Sequence, residues 1–447
     1  MAANGTAAPG GLYRSVWRWH FYAGLLVLPF LGWLAITGSL YLYKPEIERI
    51  VYADWMRIPA ARPALSAGIL ADRVAKATGG MVIQVSRPAD PRESWRMALT
   101  LPGGTRRMAF VDPGDGHVLG MTRPGGIMGT VKDLHSLVLA GPIGNALIEI
   151  ATGWTIVLVA SGIYLWWPRG TNRPLALRGT PARRPFWRDL HASTGMLAAG
   201  VILFLAVTGM PWSGVWGKAV QAYVAAHGLG RPAAPRTSRA PGGGSGEHAA
   251  HDAAATLPWA MQQAAMPHGG TRRGGRIGPD QAIAVAQARG IVAPWTISLP
   301  VDPGAPYLVS TAVTRAGDAH AVYVDAADGG VLQDARFADF GAAARAIEWG
   351  IATHQGQQYG EVNRLVMLAG CVATLLLVVT APVMWWKRRP KGRIAAPPGH
   401  SGRGLIAIMA AAGLIFPLTG LTMLAALTIG HAGRWRRRPR PGFMGPA

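Results

Sequence analysis

The sequence predicts an α-helical membrane bundle of four to five transmembrane helices, built by internal duplication, carrying two extracytoplasmic α+β domains. Three observations lead there. The 447 residues are 50% hydrophobic, mean hydropathy is +0.20, and the apolar residues gather in long runs. Runs of about 20 residues span a bilayer core of roughly 30 Å; Phe21–Tyr43, Ile143–Trp167, Ala192–Trp212, Val362–Trp386 and Leu405–Ile429 meet that length. The chain also repeats itself. His20 is followed after four residues by Gly24 and after seventeen by Thr37-Gly38, and His191 has Gly195 and Thr208-Gly209 at the same spacings. His135 and His354 are each followed by Gly (Gly141, Gly360) and by paired Trp (Trp166-Trp167, Trp385-Trp386) at equal distances. Finally, the net charge of +22 is concentrated beside the apolar runs.

That charge pattern excludes the nucleic-acid reading which +22 invites. Arg14 and Arg18 precede the first run. Arg169, Arg173, Arg178, Arg183, Arg184 and Arg188 fill one short loop, and Lys387, Arg388, Arg389, Lys391, Arg393 and Arg403 another. This is the positive-inside pattern. It places the N-terminus and both short loops in the cytoplasm and both long segments outside, with membrane lipid as the partner of the basic loops. The first run is too long for the apolar part of a signal peptide and reads as a signal anchor.

In chain order, residues 1–12 read as a disordered N-terminus and 13–43 as transmembrane helix 1. Residues 44–130 form the first outer domain. Ser66 caps a helix running to about Thr78. Met81–Ser86, Ser94–Leu101 and Arg107–Val111 read as strands, and Asp112-Pro113-Gly114-Asp115-Gly116 turns the chain into His117–Met121. Residues 131–167 are helix 2, with Lys132-Asp133-Leu134-His135 opening a helix that leads into the span. The basic loop 168–189 and helix 3, 190–212, follow. Residues 213–345 repeat the first domain's plan around a Pro/Gly/Ala-rich disordered insertion, 229–276. Asp112, Gly116, Val118 and Leu119 match Asp325, Gly329, Val331 and Leu332 at one offset. Residues 346–386 are helix 4, 387–403 a second basic loop, 404–430 helix 5 and 431–447 a basic tail. Pro417 lies mid-way along helix 5, so a re-entrant hairpin is the alternative there. A full crossing is preferred because 25 residues is short for a hairpin. Span, outer domain and span occur twice, which makes the two copies parallel about an axis along the membrane normal.

The chemistry lies in four histidines at repeat-equivalent places. His20 and His191 fall at the cytoplasmic ends of helices 1 and 3. His135 and His354 fall outside, and if their helices are continuous they lie roughly 12 Å beyond the apolar core at 1.5 Å per residue. Members of different pairs are about a membrane thickness apart and cannot share one metal. Members of each pair can meet across the pseudo-two-fold. Two neutral imidazoles from facing helices make a bis-histidine b-type haem site, and Gly24, Gly195 and the two Thr-Gly pairs admit a flat macrocycle. The sequence has no Cys-x-x-Cys-His, so attachment is non-covalent. Interfacial, helix-capping or proton-carrying histidines remain the alternatives. His248, His251 and His268 fall in the insertion, His117 and His320 read as surface residues, and His431 has no counterpart. The aspartates Asp112, Asp115, Asp325 and Asp328 read as turn residues. No catalytic carboxylate pair, dinucleotide fingerprint, Walker motif, Gly-x-Ser-x-Gly or His-Glu-x-x-His is present. The lone Cys371 precludes disulfides and thiolate clusters.

The Trp-Arg-x-His and Thr-Gly of the first span, Phe186-Trp187-Arg188-Asp189-Leu190-His191, the Asp-x-x-x-Gly turns and Trp385-Trp386 resemble the PepSY-associated transmembrane helix family, PiuB-like iron-regulated membrane proteins. The resemblance covers nearly the whole chain outside the insertion. It implies outer PepSY-type domains in a bacterial inner-membrane protein. For some members it also implies ferric-siderophore reduction by two haems, with His20, His191, His135 and His354 as the matching axial iron ligands. The expected function is a di-haem b-type electron-transfer protein. It takes electrons from an unidentified cytoplasmic donor and reduces an Fe(III) chelate outside. The alternatives are a non-enzymatic PepSY-domain protein that binds peptides or restrains a protease, and a transporter subunit.

Overall fold

The computed structural model describes residues 11–58, 63–167, 175–227, 229–230, 277–302, 304–388 and 410–435, with side chains to 429. Most of the insertion, the second basic loop beyond 388 and the tail from 436 lie outside the described residues. The chain divides into two compact units. The helical unit comprises Met1–Gly38, His135–Lys218 and Leu368–Ala447; the sheet-bearing unit comprises Ser39–Leu134 and Ala219–Met367.

Among the described residues four helices are long and apolar enough to cross a membrane, and the chain is a membrane protein. They are α1 (Gly11–Leu42), α6 (Gly141–Trp166, extended by a 3-10 turn from Val138), α7 (Arg184–Gly209, extended by a 3-10 turn to Trp212) and α11 (Glu361–Trp386). Pro29 and Pro382 sit within α1 and α11 without ending them. Small residues let the helices meet side by side. A Cβ on Gly24 would lie 3.9 Å from Leu158 (α1 on α6), on Gly32 3.5 Å from Val378 (α1 on α11), and on Gly195 3.7 Å from Leu377 (α7 on α11). At Gly370 there is no room at all, because a Cβ would come within 2.6 Å of Val201.

Two sequence expectations fail in this unit. The helix through His135 does not run on into the span. It ends at His135 (α5, Gly126–His135), Leu137 takes a left-handed conformation (φ 49°), and Gly141 has φ 68°. The chain therefore bends between the two helices. The same happens after His354, where α10 (Ala342–His354) ends and the turn at Gly356 (φ 72°) and Gly360 (φ 66°) precedes α11. The second failure is helix 5. Residues 410–415 are helical, Phe416 breaks the helix, and α12 (Pro417–Trp435) begins at the proline. In a straight helix residues seven apart are separated by about 10.5 Å, yet a Cβ on Gly420 would lie 2.5 Å from the Gly413 Cα. The chain folds back on itself at Phe416, so the described residues 410–429 form a hairpin and not one straight crossing helix, while 404–409 lie outside the described residues. Gly413 and Gly420 let the chain turn back tightly enough for so short a stretch to close. The hairpin packs on α6: Gly153 faces Thr419, Trp154 Nε1 donates to Thr422 Oγ1 (2.9 Å), and Met423 joins Val16, Ala23 and Val27 in a buried cluster. Gly420→Leu is expected to force the hairpin open at a cost of about 1–3 kcal/mol, read as lower thermal stability of the detergent-purified protein.

Among the described residues the sheet-bearing unit holds eight antiparallel strands in the order β4-β3-β2-β1-β5-β6-β7-β8. The first half is α4 (Ala67–Thr78) with β1 (Met81–Arg87), β2 (Trp95–Thr100), β3 (Arg106–Val111) and β4 (Val118–Thr122). The second is α9 (Pro279–Ala288) with β5 (Trp295–Ser298), β6 (Tyr307–Thr311), β7 (His320–Val324) and β8 (Val331–Arg336). Ser66 caps α4 by accepting from the Ile69 amide, and Gly79 closes it with φ 66°. The two halves are not separate domains. β1 pairs with β5 through Val85↔Ile297 and Ser86↔Thr296, Trp95 stacks edge-on against Trp295 (5.6 Å), and Asp280 accepts from the Gly68 amide in the first turn of α4 (3.2 Å). Leu70, Val74, Met97, Ala282, Ala286 and Val309 share one buried core. The turn aspartates do backbone work. Asp112 accepts from the Gly114 amide (2.8 Å) and Asp325 from the Ala327 amide (2.9 Å), while Gly116 and Gly329 both adopt φ 80°.

Candidate functional site

His20 lies on the second to third turn of α1 and His191 on the second to third turn of α7, which starts at Arg184, six residues before the boundary read from sequence. Both imidazoles line one cavity of about 910 Å³ inside the helical unit. That volume is at the upper end of the roughly 300–1,000 Å³ usual for small-molecule sites. Its walls are mainly apolar: Leu28, Leu158, Val159, Leu377, Val378 and Met384 among them, with Gly24, Gly162 and Gly195 providing width. A Cβ on Gly162 would stand 3.3 Å from His20 Cε1.

The polar contacts of these histidines define how they can act. His20 Nδ1 is 2.8 Å from Ser161 Oγ on α6, and the Ser161 hydroxyl donates its own proton to the Leu158 carbonyl (3.1 Å). His191 Nδ1 is 2.8 Å from Thr380 Oγ1 on α11, whose hydroxyl donates to the Leu377 carbonyl (3.2 Å). A hydroxyl that has spent its proton can only accept. With the hydroxyl proton on the carbonyl, each imidazole carries its own proton on Nδ1 and donates it, the tautomer that leaves the Nε2 lone pair open as a metal ligand. This tautomer assignment follows from the hydrogen-bond network. Ser161 and Thr380 occupy repeat-equivalent places, each 26 residues beyond His135 and His354 respectively. A Ser/Thr exchange hides this match in the sequence.

His135 repeats the arrangement. Its Nδ1 is 2.8 Å from Thr37 Oγ1, which donates to the Trp33 carbonyl (2.7 Å), and a Cβ on Gly38 would lie 3.3 Å from its Cε1. The Thr-Gly pair of α1 thus receives the imidazole at the end of α5. His135 lies in this contact with α1, and not free beyond the helices as an uninterrupted helix would have placed it. Burial pushes its pKa down to about 4, so it is neutral at physiological pH. His354 belongs to the sheet-bearing unit, partly buried at the end of α10, where Asn363 Nδ2 donates to the neighbouring Thr353 carbonyl (2.9 Å).

Of the other histidines, His117 is exposed. His320, expected at the surface, has a side chain only 11% exposed, and its Nε2 lies 2.7 Å from Asp334 Oδ1. His248, His251 and His268 lie outside the described residues, as does the side chain of His431. One buried acid escaped the sequence reading. Glu149, inside α6, is 2% exposed and accepts from the amides of Val215 (2.9 Å) and Trp216 (3.1 Å). An ionisable residue inside a span suggests function by default; here both oxygens are engaged in capping backbone donors.

The fold and this cavity define a multi-helix membrane protein with paired, pre-oriented imidazoles. The chain belongs to the family described as PepSY-associated TM region, whose model matches residues 17–388. No curated protein matches the chain.

Proposed function

We propose that the chain is a di-haem b-type electron-transfer protein of a bacterial inner membrane, acting as a ferric-chelate reductase. The observation that carries this reading is the lining of one apolar cavity by two imidazoles, each held by Nδ1 and each open at Nε2. The residues fit the group: two neutral nitrogen donors from different helices, an apolar cavity widened by glycines, and no competing charged side chain at the imidazoles' Nδ1 contacts. When bound, the haem supplies reversible one-electron Fe(III)/Fe(II) chemistry. The chain's own residues do the rest. Ser161 and Thr380 fix the tautomer and ring orientation, and the apolar walls exclude water. A second haem, with His135 and His354 as ligands, rests on their equivalent places in the sequence repeat. The N-terminus and basic segments face the cytoplasm, where the donor binds, and the sheet-bearing unit faces the periplasm. The acceptor is a ferric-siderophore or another Fe(III) chelate, whose iron is loosened from hard oxygen ligands on reduction.

Vesicles containing the purified chain, with a reductant trapped inside and a ferric chelate plus an Fe(II) indicator outside, test this function. Fe(II) should appear outside only in vesicles that contain the protein; equal rates in protein-free vesicles would rule out a transmembrane reductase. Ser161→Ala and Thr380→Ala should each weaken haem retention about 10–100-fold, the usual cost of losing a partner that orients a ligand. Ser161→Thr and Thr380→Ser should restore it, as measured by transfer of haem to an acceptor protein.

A further inference from the structure

The same cavity has a charged end. Among the described residues that line it, Arg178, Arg184, Arg188 and Arg388 face a single acid, Asp189. That carboxylate is already committed. Arg178 Nε donates to it at 2.9 Å and Arg188 Nη2 at 2.8 Å, and the Arg178 backbone amide adds a third donor (3.2 Å). Arg184 and Arg388 are left over. Arg184 Nε is buried with no acceptor. Arg388 stacks over the Trp17 ring at 4.3 Å, and burial together with the charge of Arg184 lowers its pKa below the ordinary arginine value. Two neighbouring guanidiniums, partly removed from water and without a counter-charge among the described residues, repel each other and lose hydration. Such an arrangement persists when an anion supplies the missing charge, and planar guanidiniums match carboxylates in a bidentate fashion.

The rest of the cavity constrains which anion. Its walls are apolar and its two imidazoles point inward, so the ligand is a largely apolar body with acidic groups at one edge. We infer that Arg184 and Arg388 bind the two propionate carboxylates of the porphyrin held by His20 and His191. This assignment rests on the haem reading of the cavity and adds to it a direction, with the acidic edge toward the Arg-rich end, and a basis for choosing among porphyrins.

The test is a Soret titration of haem-depleted full-length protein, in the His135→Ala background so that one site is read. Haem and haem dimethyl ester, which lacks the two negative charges, are compared. Two charge-assisted contacts predict a preference for the free acid of about 100-fold. Arg184→Gln/Arg388→Gln should reduce that preference to within about threefold and leave ester affinity unchanged, which also shows that the variant is folded. Arg184→Lys/Arg388→Lys should fall between, since charge remains without the fork. Equal binding of both porphyrins by the parent protein, or an undiminished preference in the glutamine variant, overturns the assignment. If phosphatidylglycerol in nanodiscs removes the preference, the pair is a lipid-phosphate site and the assignment is likewise overturned. If neither porphyrin binds, the haem reading falls with it.

Discussion

Replacing His20 or His191 with alanine is expected to remove one of two haems per chain and to leave the other in place. The two side chains act as a unit. His20 on α1 and His191 on α7 line the same cavity, each with Nδ1 already committed to a hydroxyl, so only Nε2 remains to bind iron. Losing either would leave a single imidazole in an apolar cavity with no other imidazole among its described lining residues. The double replacement should therefore be no worse than either single one, the non-additivity expected of groups serving one function. His135→Ala should remove the other haem and spare the first. The readout is haem per chain, together with the low-spin bands of the reduced protein. Full retention of both haems in His20→Ala would refute the ligand assignment.

The second large effect concerns the sheet. Ile297→Asp places a carboxylate at a fully buried position on β5, paired with Val85 of β1 and with Val309 of β6. Losing the side chain and burying an unpaired acid should cost roughly 3–5 kcal/mol. Because Trp95 packs on Trp295 and both halves share one core, the first half should loosen with the second. Hydrogen exchange should show loss of protection in β2 and β3 as well as in β5 and β6. If protection in β2 and β3 is unchanged, the two halves are independent domains after all.

What could be read from the residues depended on the range of the forces involved. The long apolar runs marked the four spans because hydropathy is a local property. The strands emerged from alternation, and the Asp-x-x-x-Gly turns from their need for an Asx contact and a positive φ. The pairing of β1 with β5 joins residues more than 200 positions apart, such as Val85 and Ile297, and nothing local specifies it. The helix break after His135 was hidden because apolar residues, Leu137 to Ala140, continue across it, with Gly141 the available signal; after His354 the polar run from Gln355 to Glu361, with Gly356 and Gly360, marks the break. In the candidate site, the histidines stood out through their spacing. Ser161 and Thr380 did not, since only the folded bundle shows that a hydroxyl on the next helix meets each imidazole. Arg184 and Arg388 looked like two more members of a basic flank; that no described acid pairs with them becomes visible once Asp189 is seen to be taken by Arg178 and Arg188.

The central claim is that this membrane chain holds haem between paired histidines. The dithionite-reduced minus oxidised visible spectrum of the purified full-length protein, with haem quantified as its pyridine adduct, tests it most directly. Two b-type haems per chain with the narrow bands of bis-imidazole iron is the expected result. A pure, folded protein, produced with haem in ample supply, that shows no Soret band and contains no iron porphyrin would contradict it.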